Sequence, residues 1–144
     1  MFVTRRNSRI IAFQAMYSQE VGKFDIDTIM KFEWLDEDQK VRLDDETRIF
    51  IRMLLTGTIE NLEAIDKMIS TYLKHWSIDR LSKVDLSILR ISAYPLMYQQ
   101  DIAPSIIIDE AIDISKKFSS DDSYKFVNAV LDNIRKDVLK SIET

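Results

Sequence analysis

Apolar residues return every three or four positions along most of this chain, the spacing that one buried face of an α-helix requires. Ser8 offers an N-cap, and Ile10, Phe13 and Tyr17 follow at helical spacing, which predicts a first helix with arginines at its entrance. Gly22 and Asp25 interrupt and restart the pattern, and Ile26, Ile29 and Met30 with Trp34 predict a short second helix. The acidic run Asp36, Glu37, Asp38 reads as a solvated loop. From Asp45 onward, Ile49, Phe50, Met53, Leu54, Ile59, Leu62, Ile65, Ile69, Tyr72 and Leu73 keep one helical register and predict a single long or kinked helix. Gly57 lies inside that register. A glycine there costs about 1 kcal/mol relative to alanine, so it marks a close helix crossing or a short break.

Ser82 and Asp85 have the capping-box spacing and start a helix whose stripe is Val84, Ile88, Leu89 and Ile91. Pro95 removes a backbone donor, which predicts that this helix bends or ends near Tyr94. Pro104 opens the next helix, with Ile107, Ile108, Ala111, Ile112 and Ile114. A polar connection from Ser119 to Ser123 leads to a last helix carrying Phe126, Val127, Val130, Leu131, Ile134 and Val138. No internal repeat or low-complexity linker divides the pattern. The expectation is an all-α protein forming a single domain over residues 1–144.

Composition narrows the function classes. Two glycines and two prolines leave little material for the turns of an all-β fold. The absence of cysteine excludes disulfides, thiol nucleophiles and sulfur-ligated metals, and fits a reducing cytoplasm. There is no signal-peptide core at the N-terminus and no run of about 18 apolar residues, so a soluble cytoplasmic protein is expected. The net charge of −4 argues against indiscriminate nucleic-acid binding, but the charge is uneven. Arg5, Arg6 and Arg9 precede the first acid, Glu20.

The sole histidine, His75, has no histidine or cysteine partner for a zinc site and reads as a helix C-cap. Asp109 and Asp113 share a helical face and could in principle share a proton, but surface solvation is the commoner role. No nucleotide loop, nucleophile motif or metal spacing is present, so neither an enzyme nor a cofactor or metal site is expected. Arginine presents a planar fork of donors to phosphate and also stacks on bases, so the N-terminal cluster is either a solvated terminus or an RNA grip.

Four sets of residues decide the matter together. They are Arg5-Arg6 and Arg9 with Gln14-Ala15-Met16-Tyr17; Ile88-Leu89-Arg90-Ile91 with Tyr94; Asp109 to Lys116; and Phe118, Asp122-Ser123, Lys125-Phe126-Val127-Asn128 with Val130-Leu131-Asp132. In order and spacing, over nearly the whole length, they resemble the NusB family. The resemblance implies two small helical bundles packed together, about six to seven helices in all. It also implies a transcription antitermination factor that holds boxA-type RNA of nascent transcripts, together with the small-subunit ribosomal protein that serves as NusE, within an elongation complex carrying other Nus factors on ribosomal RNA operons.

By position, the resemblance makes Arg5, Arg6 and Arg9 phosphate and base contacts, joined by Tyr17, Asp122, Lys125 and Phe126. It places Asp79, Asp85 and Arg90 where the family meets its ribosomal-protein partner or shapes the adjacent RNA site. Other roles are open for each: Tyr17 and Phe126 fit the core stripes, Asp122 fits a helix cap, and Arg90 between two isoleucine-type positions fits a structural ion pair. Two departures stand out. Ala129 occupies a position where the family often has glycine, and Pro95 follows Tyr94 where glutamate is usual. The competing functions are a stand-alone RNA-binding module working with an RNA-modifying enzyme, and a helical protein-protein adaptor.

Overall fold

A computed structural model describes residues 4–74 and 77–143, so the cap assigned to His75 lies outside the described residues. Helix α1 (Arg5–Gly22) begins one turn earlier than the apolar pattern suggests, because Thr4 rather than Ser8 caps it. The Thr4 hydroxyl accepts the Asn7 amide at 3.1 Å, while Ser8 sits inside the helix and donates back to the Thr4 carbonyl. The buried face is Ile11, Ala12, Phe13, Ala15 and Met16, which leaves Ile10 and Tyr17 at its edges.

The short helix α2 (Ile26–Met30) is followed by Phe32 in the left-handed region at φ 61°, a conformation that its complete burial holds in place. Trp34 then donates its indole N–H to the Ile29 carbonyl at 3.0 Å. The acidic run is not a loop. Asp36 caps helix α3 (Glu37–Arg42) through a reciprocal pair of bonds with Gln39, and Glu37 and Asp38 form its first turn, where carboxylates favour the helix dipole.

The long register from Asp45 divides into α4 (Asp45–Glu60) and α5 (Leu62–Thr71). At the joint, both the backbone and the side-chain amide of Asn61 donate to the Gly57 carbonyl. Gly57 also marks a close crossing, since a Cβ there would lie 2.1 Å from the Tyr94 ring of α6. After a 3-10 helix (Ile78–Arg80), α6 (Lys83–Tyr98) starts at Ser82, whose hydroxyl accepts the Asp85 amide at 3.0 Å.

Of the bend or end expected near Tyr94, the end does not occur: helix α6 runs through Pro95 to Tyr98. It packs against α1, α4, α5, α7 (Pro104–Phe118) and α8 (Ser123–Glu143), and Leu86, Ile88, Leu89, Ile91, Ala93 and Leu96 are all buried. A proline inside a helix costs about 3 kcal/mol, whereas burying one leucine or isoleucine returns roughly 1.5–3 kcal/mol, so the packed residues on both sides carry the helix past it. α1 and α4 with the short α2 and α3 form one group of helices, α5, α7 and α8 form the other, and α6 joins them around a shared core. No strand occurs among the described residues.

Candidate nucleic-acid interface

The three N-terminal arginines emerge together from the first turns of α1, but in two kinds of setting. Arg5 is half exposed, lies 4.0 Å above the Phe50 ring of α4, and reaches Glu46 at 3.8 Å. Arg6 is more exposed and pairs with Asp113 of α7 at 3.0 Å. Arg9 is different: it is buried, forms an ion pair with the equally sheltered Glu110, and lies 5.5 Å from the centre of the Phe50 ring. Exposed ion pairs are worth about 0–1 kcal/mol, so Arg5 and Arg6 can exchange their carboxylates for phosphates at little cost. Opening a buried pair costs several times more, which fixes Arg9 and Glu110 as the footing on which the two outer arginines stand.

α7 connects this end to the second group of candidate residues. From Asp113, under Arg6, it is about 8 Å along the helix to Phe118, which packs at 5.3 Å from Phe13 of α1. The intervening turn presents Lys116 and Lys117, both exposed; Lys116 lies 4.7 Å over the Tyr124 ring and Lys117 lies 5.5 Å over Phe118. Just beyond, Lys125 reaches Asp122 at 3.5 Å, and both are well exposed. Phe126 is half buried below them.

Lys116, Lys117 and Tyr124 are site candidates that the sequence reading missed. A lysine pair at the end of a helix reads equally well as a complement to the helix dipole, and only the fold brings Tyr124 beneath it. Tyr17, at the edge of the buried stripe of α1, is 36% exposed.

A cavity of about 360 Å³ brings Asp85, Asp122 and Phe126 together with Arg80 and Ser82. Asp85 is buried and accepts the hydroxyls of Ser119 at 2.6 Å and Ser123 at 3.2 Å, clasping the start of α6 to the α7–α8 corner. Asp79 lies exposed on the adjoining 3-10 helix.

Arg90 lies apart from both groups. It is buried, grips Asp66 of α5 with two bonds of 2.8 and 2.9 Å, and reaches Glu20 of α1 at 3.1 Å. This is the structural ion pair that its place between isoleucines allowed. Burial pushes the Glu20 carboxyl up, but the Arg90 hydrogen bond and charge, with Lys23 and Lys83, more than offset this and hold it below its ordinary value. Burial works against the charge on Arg90, and Asp66 and Glu20 raise its pKa despite it.

An all-helical fold with a ridge of arginine, lysine and aromatic side chains along α1, α7 and the start of α8 defines a small helical binding protein. No group of acids or histidines able to hold a metal occurs among the described residues, and no described helix is long and apolar enough to cross a membrane. A sequence model of the NusB family matches residues 6–136. The transcription antitermination protein NusB of Treponema denticola is 50% identical, across 94% of this chain and 98% of its own length. A solved NusB of T. maritima superposes with a TM-score of 0.84 at 39% identity, covering 94% of this chain and 93% of that one. A structure of antitermination factors NusB and NusE in complex with dsRNA matches with a TM-score of 0.80 at 26% identity, over 92% of this chain and 96% of that one. The chain belongs to the NusB family.

Proposed function

We propose that the chain is a cytoplasmic, non-enzymatic transcription antitermination factor, acting as a single RNA-binding domain that holds boxA-type RNA together with the ribosomal protein NusE. The observation that carries this reading is the ridge: Arg5 and Arg6 at one end and Lys116, Lys117 and Lys125 at the other, linked by aromatic rings, in a chain of net charge −4. Single-stranded RNA asks for that mixture, cations for its phosphates and aromatic faces for its unstacked bases. Arg9 supports the grip from below through Glu110. Tyr17, Asp122 and Phe126 border the RNA path. Asp79 offers an exposed acid for a basic ribosomal protein, while the buried Asp85 clasps the helix ends beside it and Arg90 stiffens the helices behind.

The family relatives are named as transcription antitermination proteins, and a structural neighbour was solved with NusE and RNA, which favours this reading over a module serving an RNA-modifying enzyme. Titration of a short boxA-type RNA, with and without the small-subunit ribosomal protein, tests it. The expected result is sequence-preferring binding that tightens when the ribosomal protein is added. A chain that binds neither RNA nor the ribosomal protein would contradict it.

A further inference from the structure

Tyr17 of α1, Trp34 from the turn between α2 and α3, and Phe118 at the end of α7 line a cavity of about 440 Å³, within the range of about 300–1,000 Å³ typical of small-molecule sites. The polar part of its lining comes from Gln14, Ser18 and Gln39, and no charged side chain lines it. We propose that this cavity is a slot for one unstacked nucleobase of the bound RNA, with Trp34 as the stacking residue, an inference that rests on the RNA-binding reading above.

Three features favour that occupant. The indole is held at a fixed angle by its bond to the Ile29 carbonyl, so its ring is pre-set as a platform while still 37% exposed. Gln39 is anchored through its side-chain oxygen to the Asp36 amide, which aims its amide nitrogen as a hydrogen-bond donor, and Gln14 adds a second amide that makes no hydrogen bond among the described residues. Uncharged amides and a hydroxyl suit the donor and acceptor edge of a base and would serve a phosphate poorly. The slot also continues the ridge, because Phe118 carries Lys117 over its ring and packs on Phe13, so a strand following the cations passes its mouth.

The test uses the full chain with Trp76→Phe, which leaves Trp34 as the only tryptophan. Addition of a short boxA-type single-stranded RNA is expected to quench Trp34 emission, and the ribosomal protein alone is expected to leave it unchanged. Trp34→Ala is expected to weaken RNA binding on the order of 5- to 150-fold, the range found for loss of one base-stacking ring, with the salt dependence kept because no phosphate contact is removed. Trp34→Phe should restore most of the affinity, and helical circular dichroism checks that each variant folds. If the parent binds RNA while Trp34 emission stays constant, or responds only to the ribosomal protein, the slot is overturned and the RNA-binding reading stands. If the parent binds no RNA at all, that reading fails and the slot fails with it.

Discussion

The buried Arg90 guanidinium ties α6 to α5 and α1 at once. Arg90→Ala would strand the carboxylates of Asp66 and Glu20 in a sheltered pocket, and is expected to destabilise the protein by about 3 kcal/mol, measurable by urea unfolding at neutral pH. Glu20 adds a pH signature. Its folded pKa lies below the ordinary value of 4.5, so its contribution is present above that value, declines as the pH falls below it, and is gone once the pH has passed the lowered value. Glu20→Gln should therefore flatten the acid limb of a stability–pH profile, and a limb as steep as the parent's would show that Glu20 is not the group responsible. At the surface, Asp122 faces the proposed RNA path and pairs with Lys125. Asp122→Asn removes a repulsive charge and releases Lys125, so RNA binding should tighten at low salt and the gain should fade as salt rises. Equal affinity of parent and variant at low salt would place Asp122 outside the path.

At the scale of elements, Gly57 is required by a steric demand and not by backbone conformation, since no glycine has positive φ among the described residues. Gly57→Ala drives a methyl group into the Tyr94 ring and is expected to cost about 1–3 kcal/mol. Once Tyr94→Ala has cleared the crossing, the same substitution should stabilise by about 1 kcal/mol, because alanine is the better helix former. Thermal unfolding of the four proteins in this cycle checks the change of sign. Both sequence readings of Gly57, a crossing and a break nearby, are realised, because a glycine inside an apolar stripe has few other uses. Other elements were harder to read. α3 has no apolar stripe, only a capping box and charges, so periodicity passes over it. Ile49 and Met53 kept the apolar register yet are 55% and 63% exposed, because α4 turns Ile51, Leu54, Leu55 and Thr58 to the core instead. Of the two outcomes that Pro95 allowed, a bend or an end, the end does not occur, because packing around α6, invisible in local sequence, carries the helix on to Tyr98.

For the whole molecule, the decisive property is how a chain of net charge −4 presents a cationic ridge. The arginines were legible as a cluster free of acids in sequence, but their partners were not: Glu46, Asp113 and Glu110 arrive from α4 and α7 and sort the three into two exposed side chains and one buried anchor. Likewise, the ridge joining them to Lys125 exists only because α7 lies between, and no sequence spacing announces that Phe118, with Lys117 over its ring, packs on Phe13. If Arg5 and Arg6 each neutralise one phosphate of single-stranded RNA, each accounts for about 0.7 of the slope of log affinity against log salt. The measurement that bears most directly on the account is therefore the salt dependence of boxA-type RNA binding, in the presence of the ribosomal protein, by the parent and by Arg5→Ala/Arg6→Ala. The variant is expected to show a slope shallower by about 1.4, with its helical circular dichroism unchanged. An equal slope in two proteins that both bind RNA would contradict it.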